Sequence, residues 1–358
     1  MMTLLLLVIL VAMVFEFING FHDTANSIAT VVGTKVLTPR QAILLAASTN
    51  LFGALMGTAV ATTIGKGLVD AHFVTTTTIV CALIGGIVWN LLTWWLGLPS
   101  SSTHALVGGL CGATLAAAHN DWSVILWSVP AAGKPWYGWG GLLYKVIIPM
   151  FSSPALGFIA GFLFMALLYL LVARLKPRLV NAVFGKAQLL SSAYMGFSHG
   201  SNDAQKTMGI IALALFSATK AGQLDHLPGW LSFLKTSTFE VAVWVKVLCA
   251  LTMAAGTAAG GWRIIRTLGT KMVRLHPIHG FAAETTAATV LMTAAHFGMP
   301  VSTTHAISTS IMGVGMAKSF KALRWELVER IIWTWFMTLP ATAGIAYLCV
   351  KLTQVWSG

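Results

Sequence analysis

The sequence predicts an all-α integral membrane protein, with about ten membrane crossings in two inverted-topology repeats and with broken helices and hairpins at the midplane. Three observations predict it. Only 9% of the 358 residues are charged while 57% are hydrophobic, against roughly 25% charged in a soluble globular domain. Apolar stretches recur along the whole chain, several reaching the ~20 residues that a helical crossing needs. Two short polar motifs each occur twice, in the same order in each half.

The apolar stretches fall at about 2–17, 42–64, 73–97, 103–119, 146–173, 188–217, 238–260, 280–297, 303–318 and 328–350. No basic residue precedes the first and no small-residue cleavage pattern follows it, so it reads as a span and not as a signal peptide. Cys81, Cys111, Cys249 and Cys349 each sit in an apolar stretch without the paired spacing of a zinc or redox site, which reads as helix packing.

The formal charge of +12 does not mark a nucleic-acid surface, because the basic residues lie in loops between spans. Arg174, Lys176, Arg178 and Lys186 form one such loop, Arg263, Arg266, Lys271 and Arg274 a second, and Lys318, Lys321 and Arg324 a third. An even number of crossings separates successive loops, so all three fit the cytoplasmic side. Counting back places Lys35 and Arg40 inside, both termini outside, and the Trp-rich segment from Trp122 to Trp139 at the outer interface, where indoles settle. The compact chain has no large soluble loop, and this economy points to a bacterial inner membrane.

The repeat is read from two alignments. Gly20-Phe-His-Asp23 matches Gly200-Ser-Asn-Asp203 at an offset of 180, and Gly97-Leu-Pro-Ser-Ser-Ser-Thr-His104 matches Gly298-Met-Pro-Val-Ser-Thr-Thr-His305 at an offset of 201. The halves are set at 1–175 and 186–358, together one membrane transport domain. Five crossings lie between equivalent points, and an odd number inverts the second half. Inverted repeats recur in secondary transporters, whose sites lie near the midplane where the repeats meet.

Charged residues inside spans are costly and mark cavities or pathways. Asp23 and Asp203 each follow a glycine by three residues, so the helix is expected to unwind there and offer carbonyls and a carboxylate to a cation, with Asn26 and Asn202 adding neutral oxygens. The alternative is that each Asp caps a helix starting just after it, worth ~1 kcal/mol. In the second motif Pro99 and Pro300 precede hydroxyl clusters: Ser101, Ser102 and Thr103 in one half, Ser302, Thr303 and Thr304 in the other. Hydroxyls at a helix N-terminus suit a tetrahedral oxyanion; two ordinary N-caps closing hairpins is the plainer alternative. His104 and His305 read as packing, whereas His22 and His199 have a better claim to proton handling. Glu284 suits coupling-ion or proton work, or equally a structural hydrogen bond, and Glu16 and Glu240 are weaker candidates. The chain holds no His-Glu-x-x-His, Walker or Gly-x-Ser-x-Gly motif, and no enzyme activity or cofactor is expected.

Asn19-Gly-Phe-His-Asp-Thr-Ala-Asn-Ser27 and His199-Gly-Ser-Asn-Asp-Ala-Gln-Lys206, with the Gly97–His104 motif following Trp89-Asn90, resemble the duplicated signatures of the inorganic phosphate transporter (PiT) family, bacterial low-affinity permease type. The resemblance covers essentially the whole length. It implies a homodimeric symporter of inorganic phosphate driven by H⁺ or Na⁺, with the Asp segments and Ser/Thr loops forming the site. It also implies, for bacterial members, transport of phosphate as a divalent-metal complex, and it leaves sulfate open as another tetrahedral anion. A passive anion channel and a non-transporting receptor are the rival classes. The family signature reads Gly-Ala-Asn-Asp-Val-Ala-Asn in both halves; here His22 precedes Asp23, and Gln205 and Lys206 stand where the first half has Ala25 and Asn26. The expectation is that the Lys206 ammonium takes one cation position and that His22 and the carboxylates pass protons, so that coupling is to H⁺.

Overall fold

Each half of the chain runs as a long helix, a bent pair, a hairpin and a closing helix. The computed structural model describes residues 2–357 apart from 134, 136 and 137. The first half comprises α1 (Met2–Gly33), α2 (Pro39–Ala54), α3 (Ala59–Lys66), α4 (Thr76–Leu96), α5 (Ser102–Ala117) and α6 (Ile148–Val172). The second comprises α7 (Pro177–Lys220), α8 (Val243–Ala259), α9 (Trp262–Arg266), α10 (Pro277–His296), α11 (Thr303–Lys318) and α12 (Trp325–Ser357). Among the described residues there is no strand, only isolated bridges such as Val69 with Ile125.

Local chemistry sets the hairpins. Gly97 ends α4 and Gly298 follows α10, both left-handed at φ +68° and +62°, a conformation that glycine reaches without a Cβ penalty. Pro99 and Pro300 then hold the chain extended, and Ser101 and Ser302 cap α5 and α11 by accepting from the amides of His104 and His305 at 3.1 and 3.2 Å. The N-cap alternative is therefore realised at these two serines.

The expected unwinding at the aspartates does not occur: α1 and α7 run unbroken through Asp23 and Asp203, and neither Asp is a cap. The glycines before them serve close packing instead. A Cβ on Gly20 would lie 2.5 Å from the carbonyl of Met253, and one on Gly200 would lie 2.2 Å from that of Asn50. Facing them, Gly256 and Gly53 sit just as close to the carbonyls of Phe17 and Phe197. The breaks lie elsewhere, between α2 and α3, bent by 73°, and between α8 and the α9 segment, bent by 60° at Gly260 and Gly261.

By length and composition four helices can cross a membrane, or up to six if each bent pair is one span. Two of the expected crossings, 103–119 and 303–318, coincide with α5 and α11, whose 16 residues rise only about 24 Å, short of the ~30 Å hydrocarbon core. They are arms of hairpins and are buried on nearly every side.

The halves interlock. Helix α1 packs on α8 and α7 on α2, while α5 packs on α12 and α11 on α6. Thr34, beside Lys35, donates to Gln188 Oε1 at 2.8 Å, and Lys271 and Arg274 share one pocket with Lys318, Lys321 and Arg324. In the tryptophan-rich segment Trp122 and Trp127 are exposed, and Trp136 lies outside the described residues. The four cysteines are free, Cys81 and Cys249 buried in the helix packing.

Candidate functional site

Both hairpin tips close on the two aspartates. Asp23, on α1, accepts from the Ser102 hydroxyl at 2.6 Å through Oδ2 and pairs with His22 Nδ1 at 2.7 Å through Oδ1. Asp203, on α7, accepts from the Thr303 hydroxyl at 2.7 Å and from Asn202 Nδ2 at 2.9 Å through Oδ1, while His199 Nε2 stands 3.3 Å from Oδ2. Ser102 and Thr303 are equivalent in the repeat, so the same helix-to-tip bond is made twice. His22 is held from behind by Thr93 at 3.1 Å, and His199 by Asn50 at 3.1 Å.

The next helical turn reaches across to the other repeat. Asn26 donates to Thr304 at 2.9 Å. Its equivalent, Lys206, extends its ammonium to Thr103 at 2.9 Å, to Ser102 at 3.0 Å and to Asp203 Oδ2 at 3.0 Å. Lys206 is fully buried, and a buried ammonium persists only with such partners. Thr103 and Asn202 both donate to the carbonyl of Val301, tying tip to tip. One ligand atom each from Asp23, His199 and Asp203 lies within 4.8 Å of the others. The centre thus combines two carboxylates, one ammonium, hydroxyl donors and two helix N-termini, a set able to hold an anion beside cations or protons.

Other predicted residues fall outside this centre. Gln205 faces α3, its carbonyl accepting from the Val60 amide at 2.9 Å and its amide donating to the Ser201 carbonyl at 2.6 Å. His104 and His305 meet edge-on at 4.9 Å, and His305 lies 4.0 Å from the Trp335 ring. Glu284 sits in a separate buried cluster, taking hydrogen bonds from Thr30, Ser191, Ser192 at 2.9 Å and Gln188 at 3.2 Å. Glu16 is buried against Thr207, whereas Glu240 is exposed in the loop before α8, bonded to Thr238 at 2.9 Å.

A sequence model described as "Phosphate transporter family" matches residues 19–183 and again residues 172–346. The chain belongs to the phosphate transporter family. Relatives described as "Probable low-affinity inorganic phosphate transporter" include one from Bacillus subtilis (strain 168), 39% identical over 357 residues with 98% of each chain covered. Another, from Rhizobium meliloti (strain 1021), is 43% identical, covering 97% of this chain and 95% of its own. One from Mycobacterium tuberculosis (strain ATCC 25618 / H37Rv) is 42% identical over 99% of this chain and 79% of its own. A solved structure described as "The sodium-dependent phosphate transporter" shares the fold, with a TM-score of 0.80, 24% identity and 99% of both chains covered.

In this family member the partners of the predicted residues were the harder part to foresee. Thr93, Asn50, Gln188 and Ser191 are polar residues in apolar stretches, a signal by itself, and Thr30 lies beyond the first stretch; the helix each one faces depends on the interlocked packing.

Proposed function

We propose that this member of the phosphate transporter family carries inorganic phosphate by symport with H⁺ through alternating access of the two halves about the paired hairpin tips. The observation that carries the reading is the ammonium of Lys206, held at 2.9–3.0 Å by Asp203, Ser102 and Thr103 at the position where the first half has Asn26. A resident cation there stands in for one transported cation. Phosphate then takes donors from Ser102, Thr103, Thr303 and Thr304 and from the N-termini of α5 and α11, while the His22–Asp23 pair exchanges the coupling proton. Glu284 is a second protonatable group on the same path between α1, α7 and α10. The basic loops face the cytoplasm and both termini lie outside, in keeping with the charge distribution.

A Na⁺-coupled reading is favoured by one feature, the cluster of Asp23, His199 and Asp203 within 4.8 Å. The two are separated by radiolabelled phosphate uptake into proteoliposomes under independently imposed pH and Na⁺ gradients, with sulfate as competitor. Concentrative uptake driven by inward H⁺ and indifferent to sulfate supports the proposal. Uptake driven only by Na⁺ at constant pH overturns the coupling, and no concentrative uptake under either gradient returns the protein to a channel or receptor class.

A further inference from the structure

Between the α9–α10 and α11–α12 loops lies a pocket of about 440 Å³ edged by Lys271, Arg274, Lys318, Lys321 and Arg324, with the hydroxyls of Thr270 and Ser319. None of its lining residues is acidic. The two loops are fixed to each other by the Arg324 amide, which donates to the Met272 carbonyl at 3.3 Å. Five cations lining one pocket repel one another unless an anion joins them.

An apolar groove of about 500 Å³ opens beside it. Its walls are Phe151 and Phe158 of α6 and Val328, Ile332 and Phe336 of α12, and its floor includes Met312 of α11. The mouth faces outward, with Phe151 54% and Phe336 45% exposed. Trp325, the groove's lower residue, directly follows Arg324 of the basic pocket, and its indole stacks on Phe320 at 4.7 Å. Helix α11 likewise runs from Met312 in the groove to Lys318 in the pocket. From Trp325 to Phe336 the helix rises about 16 Å, roughly half the hydrocarbon thickness. At its inner end the groove reaches Trp335, whose Nε1 donates to the Pro99 carbonyl at 3.0 Å, at the tip of the α4–α5 hairpin.

We propose that pocket and groove form one site for an anionic phospholipid, the phosphate held by the five cations and one acyl chain laid along α6 and α12 as far as Trp335. A cation cluster at a helix-loop boundary with an apolar, membrane-facing slot of single-leaflet depth matches an amphiphile in both charge and length. A soluble phosphate compound leaves the groove unused, and a second protein chain leaves the cations unpaired. Diphosphatidylglycerol, with two phosphates, uses the cations most fully. The assignment to the cytoplasmic leaflet rests on the proposed orientation; the site itself does not, and the test reads bound lipid instead of flux, so it stands or falls apart from phosphate symport.

The test is native mass spectrometry of the full chain released from nanodiscs of phosphatidylcholine containing diphosphatidylglycerol, comparing wild type with a pocket triple variant (Lys318→Gln, Lys321→Gln, Arg324→Gln) and a groove-filling variant, Ile332→Trp. Each Lys or Arg near an anionic headgroup is worth roughly a factor of five in affinity, so the triple variant loses about a hundredfold. The groove variant, with its cations intact, also loses retention. A control with Arg174→Gln, Lys176→Gln and Lys186→Gln keeps it. Retention unchanged in both test variants overturns the proposal, as does equal displacement of the lipid by inorganic tripolyphosphate, which marks a soluble-anion site. Conversion of a dimer to a monomer by Ile332→Trp with no change in lipid retention also overturns it, because the groove is then a protein interface.

Discussion

Replacing Lys206 with Asn restores the residue that the first half carries at Asn26, and its consequence can be worked from the distances. The substitution removes an ammonium 3.0 Å from Asp203 Oδ2 and leaves that carboxylate with the Thr303 hydroxyl and Asn202 amide on its other oxygen and His199 at 3.3 Å. Removing one partner of a buried ion pair costs about 3–5 kcal/mol, because the remaining charge is uncompensated. A Na⁺ ion entering the vacated space recovers part of that loss, about 2.7 kcal/mol when its concentration is a hundred times its dissociation constant. Lys206→Asn should therefore melt well below wild type in choline chloride and regain much of the difference in NaCl, while wild type melts alike in both. In proteoliposomes the variant should gain Na⁺-driven phosphate uptake that wild type lacks. The reasoning is refuted if the variant melts identically in the two salts, or if wild type already requires Na⁺ at constant pH.

Four other perturbations test separate parts of the structure. Ser102→Ala and Thr303→Ala remove equivalent bonds to Asp23 and Asp203; each bond to a charged group is worth about 1.5–3 kcal/mol, so each should lower uptake by at least tenfold, and a large effect at one with none at the other would break the two-fold account. Glu284→Gln keeps the shape but puts an amide among the donors Thr30, Ser191 and Ser192; uptake should fall while membrane insertion persists, and normal uptake would make Glu284 purely structural. Gly112→Ala places a Cβ 2.1 Å from the Ala343 carbonyl and should cost about 1–3 kcal/mol or more by overpacking, whereas Gly344→Ala, with nothing within 4 Å, should leave folded yield unchanged or raised. Outside the membrane, Lys235 bonds Asp225 at 2.6 Å and holds its carboxyl below the usual range. The depressed value means that any stabilisation is present at neutral pH and lost on acidification through the lowered value, so Asp225→Asn should lower melting slightly at neutral pH and converge with wild type on the acid side of a melting-against-pH profile.

The helical membrane class, the repeat and both motifs were legible in the sequence because each rests on local pattern: apolar run length, residue offset, and the Gly-x-Pro-x-Ser order of a capped turn. What the local pattern misled on was Gly20 and Gly200. A glycine beside an aspartate in an apolar run reads as a hinge, but these two are contact points, a helix-wide approach to Met253 and Asn50 that no single-helix pattern reveals. Lys206 illustrates the converse. Its departure from Asn26 was visible from alignment of the halves, yet its three partners come from α7 itself and from α5, residues 102 and 103, and only the folded chain brings them together. Ser101 was read as an anion donor and Gln205 as support for the site; in the fold the Ser101 hydroxyl accepts from the His104 amide and the Gln205 carbonyl from the Val60 amide of α3.

The exchange of closing helices between the halves also bears on the order in which the protein can be built. Helix α5 carries Ser102 and Thr103, but its small-residue face, Gly108 and Gly112, is covered by Leu339 and Ala343 of α12. Those residues are made long after the hairpin itself. Until they insert, the α4–α5 hairpin has no lid on that face, and the centre at Asp23 and Asp203 cannot close. Loss of α12 should therefore silence transport as completely as loss of either aspartate.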